Sequence, residues 1–397
     1  MLRLKDTKYS NTAEFLQSAI RVAEYYGFRP LEEAPKKDPA TLRHMKERAK
    51  KNETEIAFAR REERPLVSAA RRSVISAHAP GEALLLWRTT SDLKTNIPHS
   101  SLELHVIGTH SSIAEALLIV VANSIAEDAG IKERVLSINN IGSSESSTRY
   151  VRDVGTYLRK HLDSISPTLR PRVGLDPLGT LVALIERGHP ATPRAPQSME
   201  YLTEEERRRF WDLLEYLEVF GLPYELSPHV LGSRDCWAHA LYQISAVDSE
   251  SGSHMPIAFG GRYDPLAARF ATYPTPAAMI SISSEIRGRG RPKTGVPGIP
   301  SLYFAHLGAE ARRKSLPVLE KLRIAGIPVQ HGLCFERIGE QMAVARSFSP
   351  PYILIMGHKE AVEGTILVRE AATNSQDAIP LSELPSYLRR KRLFSVA

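Results

Sequence analysis

The chain has few cysteines, no long apolar run and no excess of acidic residues, and each shortage argues against a class of protein. Two cysteines, Cys236 and Cys334, cannot build a disulfide framework, and no Cys/His cluster has the spacing of a zinc site. No stretch of 18 apolar residues is available to span a bilayer, and the start lacks the apolar segment of a secretory signal. We therefore expect a cytoplasmic protein with no metal site and no membrane partner.

The remaining composition is that of a globular protein with more than one domain. Its 397 residues are 42% hydrophobic and 24% charged, which allows two or three domains with sizeable cores. Lys and Arg number 52 against 45 Asp and Glu, giving a net charge of +7 and a pI near 9.3. This balance favours a polyanionic partner, because basic residues attract phosphates and release their counterions. Solvated basic side chains would give the same composition, so charge alone leaves the choice open.

Apolar periodicity predicts helices and strands in the first 290 residues. Segment 12–27 has helical spacing and ends at Gly27, a residue type that commonly follows a helix. Segment 112–130 predicts a long buried helix, and "TEEE" at 203–206 predicts a helix start with a capping side chain ahead of three carboxylates. Strands are predicted at 82–90 and 101–109, joined by a turn around 96–98, and at 230–244, 257–259 and 277–286, the last continuing into a helix.

The last hundred residues have a different organisation. The basic stretch 287–298 is rich in Gly and Pro and has the composition of a linker. After it, helical patterns alternate with strand patterns at 301–308, 327–332, 351–357 and 364–373. Such alternation predicts a compact α/β domain with a mixed sheet.

Several motifs occur along the chain in one order. They are "EYYGFRPLEEAP" at 24–35, "LWRTT" followed by "SLELHVIGTHSSIAEALLI", "AFGGRYDPL" at 258–266, "TPAAMISISSEI" at 275–286 and "PYILIMGHKEAVEGTILVRE" at 351–370. Together they resemble the class II aminoacyl-tRNA synthetases of the histidyl type. The most specific single signal is "GGRYD", which is similar to the "GGRYDGL" of that family.

The resemblance implies an α+β fold, with a class II antiparallel sheet flanked by helices, a helical insertion and a C-terminal α/β domain of the anticodon-binding type. The implied boundaries are a core in two parts (1–138 and 229–290), an insertion at 139–228, a linker at 291–299 and the C-terminal domain at 300–397. The first motif, with Pro35 at its characteristic proline, builds a symmetric interface in this family, which implies a homodimer. The family's substrates are histidine, ATP with Mg²⁺, and tRNA.

The resemblance also assigns candidate site residues. Arg88 stands where the second motif has the arginine that grips the α-phosphate of ATP. Asp235 is retained in "LGSRDCW", where the family has "VRGLDYY"; Gly232 takes the place of the catalytic arginine there. Arg234 lies two residues on and would keep the same face if this segment were a strand. The stretch that shapes the histidine pocket supplies Gly260, Gly261, Arg262, Tyr263 and Asp264, and the third motif keeps Glu285.

Many positions depart from the family pattern. Thr90 replaces a glutamate, Ser101 a glutamine, His105 a glutamate, Cys236 and Trp237 two tyrosines, and Ile286 the arginine of the third motif. Arg287 follows Ile286, and on a helix it would lie about 100° further round. The family's "LRPE" segment has its counterpart within 58–72 only in the wrong order. Because losing one preorganised charge costs about 10²–10³ in rate, several losses together predict an inactive relative.

Three functional hypotheses follow from these observations. The leading one is a non-catalytic protein that binds tRNA or another RNA, or a regulatory partner, through the retained scaffold. RNA contacts are predicted in the C-terminal domain and at Arg389, Arg390, Lys391 and Arg392, although a frayed, solvated terminus would have the same sequence. The second is a divergent but active histidine–tRNA ligase, which alone would require ATP and Mg²⁺. The third is a subunit similar to the regulatory subunit of ATP phosphoribosyltransferase, which lacks the C-terminal domain retained here. Whether histidine still binds is left open.

Overall fold

The structure is a computed structural model that describes residues 1–33, 43, 63–76, 83–93, 98–248, 252–271, 274–288 and 301–391. Pro35, the predicted linker at 291–299 and Arg392 lie outside the described residues, as do residues 58–62 of the segment that holds the predicted counterpart of "LRPE". Among the described helices, none is long and apolar enough to cross a membrane.

The helices of the described residues follow the apolar periodicity of the sequence. The first, α1, is capped by the Asn11 side chain, which accepts a hydrogen bond from the backbone N–H of Glu14, and Gly27 follows its end with φ of +79°. The helices are α1 (Thr12–Tyr25), α2 (Glu63–Ser76), α3 (Ile113–Asp128), α4 (Ser144–Lys160), α5 (Arg172–Leu175), α6 (Pro177–Glu186), α7 (Glu204–Phe220), α8 (Asp264–Phe270), α9 (Ala309–Ile324), α10 (Ile338–Phe348), α11 (His358–Glu363) and α12 (Leu384–Arg390).

Two helices confirm specific expectations. The apolar run predicted as a buried helix is α3, in which every residue from Ile113 to Ala126 is buried. The predicted start at Thr203 is a capping box: the Thr203 hydroxyl accepts the N–H of Glu206, and the Glu206 carboxylate accepts the N–H of Thr203. Both features depend on neighbours in sequence, which is why periodicity and cap residues suffice to predict them.

The larger sheet has eight strands, in the order β1-β2-β3-β8-β7-β6-β4-β5. Neighbouring strands are antiparallel except at the two edges, where the short strands β1 and β5 pair in parallel with β2 and β4. The α+β architecture expected from the sequence is therefore confirmed. The strands are β1 (Arg29–Pro30), β2 (Leu84–Asp92), β3 (His99–Ile107), β4 (Arg134–Asn140), β5 (Glu225–Leu226), β6 (Ala238–Val247), β7 (His254–Arg262) and β8 (Ala277–Glu285).

Two details of the predicted strands are wrong. The strand expected from residue 230 begins at Ala238, because the N–H groups of Cys236 and Trp237 both bond to the carbonyl of Ser233 and fold 233–237 into a turn. No helix follows β8 at 286–288. There the N–H of Arg287 bonds to the Thr12 hydroxyl and its carbonyl accepts the N–H of Thr12, so both backbone groups are committed to the start of α1.

The second sheet has five strands in the order β10-β9-β11-β12-β13. Parallel pairing joins the first three and antiparallel pairing joins the last three, which confirms the mixed sheet predicted for the last hundred residues. Its strands are β9 (Leu302–His306), β10 (Gln330–His331), β11 (Tyr352–Met356), β12 (Thr365–Glu370) and β13 (Gln376–Pro380).

The two sheets share one apolar cluster through α3 and α9. Leu117 and Val121 of α3 belong to the same buried cluster as Leu316 and Leu319 of α9. Polar contacts reinforce this packing. The guanidinium of Arg323 on α9 binds both oxygens of Asp128 at 2.7 and 3.1 Å, and the Tyr26 hydroxyl lies 2.5 Å from Glu320. The predicted domain boundaries at 138, 228, 290 and 300 stay predictions, since neither the sheets nor the apolar clusters show where one domain ends and the next begins.

Candidate functional site

The predicted phosphate-binding residue lies midway along β2, the second strand of the larger sheet. Arg88 of β2 faces Glu103 of β3 directly across the antiparallel pair, and Thr90 faces Ser101. Because alternate residues of a strand share one face, the side chains of Arg88, Thr90, Glu103 and His105 lie on the same side of the sheet. This is the face on which the sequence places its candidate chemistry.

Arg88 is engaged by a carboxylate of its own chain. Its Nε donates to Glu103 in a close ion pair, and the two residues are only 8% and 6% exposed. The Thr90 hydroxyl lies 3.3 Å from the other oxygen of Glu103, and Nε2 of His105 lies 3.7 Å from the carboxylate. The guanidinium that the resemblance assigns to a nucleotide phosphate thus already holds an anion.

Burial sets the protonation of this cluster. Burial raises the pKa of Glu103, but the polar contacts with His105 and Arg88 lower it by more, so the pKa lies below its ordinary value and the carboxylate is ionised. Burial lowers the pKa of His105 by more than Glu103 raises it, so this ring is neutral at pH 7. On the other side of the ring, Nδ1 of His105 lies 3.1 Å from the Tyr263 hydroxyl.

The two glycines of "GGRYD" allow close packing between strands. A Cβ atom on Gly260 would lie 2.2 Å from the carbonyl oxygen of Met279 and 2.6 Å from the Tyr242 ring. A Cβ on Gly261 would lie 2.8 Å from the carbonyl of Ala240 and 3.1 Å from the Trp237 ring. These approaches are too close for any side chain, so protein atoms fill the space that the glycines leave.

Arg262 is a buried brace. It is fully buried and donates to three acceptors: Glu115 at 3.0 Å, Asp264 at 3.0 Å and the carbonyl of Thr109 at 2.8 Å. Glu115 of α3 also accepts from Arg209 of α7 at 2.6 Å. Burial raises the pKa of Glu115, but the charges of Arg262 and Arg209 lower it further, to below the ordinary value. The guanidinium of Arg262 therefore ties β7 to α3, and all its described contacts are internal.

Asp264 and Tyr263 complete this internal network. The second oxygen of Asp264 accepts the backbone N–H of Ala277 at 2.7 Å, which joins the start of α8 to the start of β8. Tyr263 is fully buried and contacts His105 edge-on, with ring centroids 5.8 Å apart. The stretch thus links the Arg88 cluster to the Arg262 cluster.

The other candidate residues do not join these clusters. Arg234 lies in the turn before β6 and donates to the Thr148 hydroxyl of α4 at 2.9 Å, so the argument that a strand keeps it on the catalytic face is wrong. Asp235 lies 3.7 Å from Arg269 of α8. Glu285 accepts the backbone N–H of Leu4 at 2.8 Å, at the end of β8.

Little open space remains beside "GGRYD". Trp237, which stands at a family tyrosine, is 3% exposed and packs edge-on against Phe259 with ring centroids 5.5 Å apart. A surface depression of about 320 Å³ lies elsewhere, against Tyr150, Leu181 and Gln197, and none of the candidate residues lines it. Within the described ranges, no group of three or more His, Cys, Asp or Glu residues is arranged to hold a metal ion. Ile286, at the third-motif arginine, offers no cation to a nucleotide.

The structure describes the basic tail as far as residue 391. Leu384 and Leu388 bury one side of α12, and Arg389 donates to the carbonyl of Ala325. Arg390 and Lys391 lie exposed beside the Tyr387 ring, at 6.0 and 5.9 Å from its centroid. Within the described part of the tail, Arg390 and Lys391 are thus the exposed charges that no hydrogen bond engages.

Comparison with known proteins shows what the chain is similar to. Residues 303–391 match the anticodon binding domain. The chain is 27% identical to the histidine–tRNA ligase of Thermosynechococcus vestitus over 330 residues, which cover 80% of this chain and 76% of the relative. It is also 27% identical to histidine–tRNA ligase 1 of Shouchella clausii over 289 residues, 72% of this chain and 68% of the relative. The chain is similar to histidyl-tRNA synthetases. The crystal structure of the apo histidyl-tRNA synthetase of S. aureus aligns over 94% of each chain, with a TM-score of 0.49 and 16% identity.

The sequence predictions for this synthetase-like chain missed the acidic partners. Glu103 and Glu115 hold the two arginines of the site, and Arg209 supplies a second cation to Glu115. A carboxylate inside the apolar run of α3 was a usable signal, because a buried acid needs a buried partner. The opposite charges of Arg88 and Glu103 on the two predicted hairpin strands were a second signal of an ion pair. However, a hairpin with its turn centred on residue 97 would place Arg88 opposite Val106, so the predicted turn would have given the wrong partner.

Proposed function

We propose that this histidyl-tRNA synthetase-like protein does not aminoacylate, and that it binds tRNA through its anticodon-binding domain as a cytoplasmic homodimer. The observation that carries the proposal is the buried ion pair between Arg88 and Glu103. An arginine that serves the α-phosphate must be free to meet the charge that develops there. In this chain the same guanidinium is already neutralised by Glu103.

Loss of one such cation is expected to reduce the rate by about 10²–10³. Other departures from the family pattern should lower the rate further. Ile286 carries no charge for the nucleotide, and neutral His105 cannot provide the carboxylate that would hold the amino group of histidine. Trp237, Tyr242 and Met279 crowd the glycines of the pocket stretch. We infer that neither step of the reaction retains its electrostatic support.

Binding of tRNA is supported by the C-terminal part of the chain. The anticodon binding domain match covers residues 303–391, and Arg390 and Lys391 project from the end of α12 within it. Exposed cations contribute to RNA affinity mainly through counterion release, so the binding should weaken steeply with salt. Arg389 is expected to contribute less, because it already donates to the carbonyl of Ala325.

Histidine-dependent exchange of pyrophosphate into ATP tests the catalytic part of the proposal. We expect no exchange above a reaction without protein. Histidine-dependent exchange well above that background would support the divergent ligase instead. Sedimentation over a range of protein concentrations tests the dimer, and a mass that stays monomeric would refute it.

Binding of tRNA at several salt concentrations tests the RNA part. The variant Arg390→Gln/Lys391→Gln should bind more weakly, and the slope of log affinity against log salt should fall by about 1–2 if both residues contact phosphates. A control variant, Lys5→Gln/Lys132→Gln, removes the same charge from exposed positions in the segment that carries the larger sheet. No detectable tRNA binding at low salt, or equal effects of the two variants, would contradict the proposed interface.

A further inference from the structure

Three side chains converge on the carboxylate of Glu103. Arg88 donates its Nε, the Thr90 hydroxyl lies 3.3 Å from one oxygen, and Nε2 of His105 lies 3.7 Å from the other. All are on one face of the β2–β3 pair, since Thr90, Arg88, Glu103 and His105 occupy alternate positions in register. The arrangement is a cradle of one cation and two neutral polar groups around a single carboxylate.

Tyr263 fixes the orientation of the histidine in this cradle. Its hydroxyl lies 3.1 Å from Nδ1 of His105, and Nε2 of the same ring has no hydrogen-bond partner within 3.5 Å. A neutral imidazole has one N–H, so a Tyr263 hydroxyl that donates to Nδ1 leaves the N–H on Nε2, facing Glu103. The ring is fully buried and cannot turn to solvent for a partner. His105 therefore presents a donor to whichever anion lies there.

The cradle depends on Glu103 for its charge balance. Among the ion pairs of the described residues, Arg88 pairs with no carboxylate other than that of Glu103. Arg88 is 8% exposed, so loss of the Glu103 carboxylate would leave a buried cation beside an empty space. Replacing Glu103 by Ala removes one methylene and the carboxylate. The atoms removed are the size of acetate, so the space they leave would accommodate that ion.

We propose that Arg88, Thr90 and His105 form an oxyanion-binding cradle that Glu103 fills from within the chain. Glu103 acts as an internal plug, and without its carboxylate the cradle binds a small external carboxylate or phosphate. This inference rests on the proposed function in one respect: the plug accounts for why Arg88 is not available to a nucleotide.

Anion rescue of the variant Glu103→Ala tests the cradle. The midpoint of thermal unfolding is measured against sodium acetate, and separately against inorganic phosphate, with sodium chloride at equal ionic strength as the reference. The variant should unfold at a lower temperature than the wild-type protein in chloride. Acetate, phosphate or both should raise its midpoint saturably, because a ligand that binds only the folded state stabilises it. The two arms identify which oxyanion the cradle prefers.

Three matched proteins make the result specific. The wild-type protein should show no saturable rise, because its cradle is full. Glu103→Gln keeps the side-chain shape and should also show none. Arg88→Leu/Glu103→Ala removes the cation and should lose the rescue. A saturable rise of similar size in any of the three would overturn the proposal, and so would the absence of a rise with both anions in Glu103→Ala.

Refolding provides a second readout if Glu103→Ala does not fold in chloride. Yield of folded protein after dilution from urea is then compared in acetate, phosphate and chloride. A several-fold higher yield in acetate or phosphate, absent from Arg88→Leu/Glu103→Ala, supports the cradle, and equal yields overturn it. Pyrophosphate exchange by the wild-type protein would contradict the proposed function while leaving this rescue unaffected, so failure of one is distinguishable from failure of the other.

Discussion

Replacement of Arg262 by methionine tests whether "GGRYD" now serves the fold. Arg262 is fully buried and holds Glu115, Asp264 and the carbonyl of Thr109 with three hydrogen bonds of 2.8–3.0 Å. Methionine fills much of the volume and supplies none of these donors. Glu115, itself 1% exposed, would keep Arg209 as its one ion-pair partner among the described residues. Breaking a buried ion pair in this way costs about 3–5 kcal/mol, a large fraction of an ordinary folding free energy of about 5–15 kcal/mol.

The pH dependence of this loss has a predictable sign. In the wild-type protein the pKa of Glu115 is lowered by Arg262 and Arg209 against the effect of burial, so this group stabilises the fold at neutral pH and the contribution is lost as the pH falls. Without Arg262, burial dominates and the pKa of Glu115 should rise. The carboxyl group then becomes neutral more readily in acid. The difference in stability between the two proteins should therefore be larger at pH 7 than at pH 4.5.

Urea unfolding followed by tryptophan fluorescence measures the effect, since the chain has three tryptophans. Arg262→Lys should fall between the wild-type protein and Arg262→Met, because lysine keeps a charge but not the forked donors. The control is Arg208→Met on α7, where the arginine is 77% exposed and pairs with Glu204, and it should change stability by less than about 0.5 kcal/mol. An equally small change in Arg262→Met would refute the bracing role.

Two further predictions concern buried groups. His306 and His331 are held neutral by burial, which lowers the pKa of each to about 4, so the folded state should lose up to about 3 kcal/mol per histidine as the pH falls from 6.5 to 4. Unfolding of His306→Leu across this range should show a flatter profile than that of the wild-type protein, and parallel curves would contradict the assignment. Gly260→Ala forces a Cβ to within 2.2 Å of the Met279 carbonyl and should cost at least about 1–3 kcal/mol of unfolding free energy in urea. Gly339→Ala, whose Cβ would enter open space on α10, should cost nothing, and equal effects would show that the contact at Gly260 is not the cause.

The sequence was sufficient to predict most of the elements and the likeness to synthetases. The apolar run of α3, the cap at Thr203 and the strand–helix alternation after residue 300 are local patterns, and each appears in the structure. The motifs in order predicted a synthetase-like chain, which the relatives and the anticodon binding domain match support. Local errors arose where a polar turn or a backbone contact interrupted a pattern. Residues 233–237 fold into a turn that apolar spacing does not reveal, and Arg287 is bonded to Thr12, 275 residues away.

The state of the site was decided only by the tertiary structure. The sequence shows that Arg88 carries a positive charge, but the strand register decides that it faces Glu103. A register shifted by one residue would place the Glu103 side chain on the other face of the sheet. Likewise, Arg262 and Glu115 are 147 residues apart, and no local pattern pairs them. The "GGRYD" stretch thus carries the resemblance to the synthetases in its sequence. Whether its arginine meets a substrate or another part of the protein depends on contacts between distant segments, which form only when the sheet and α3 pack together.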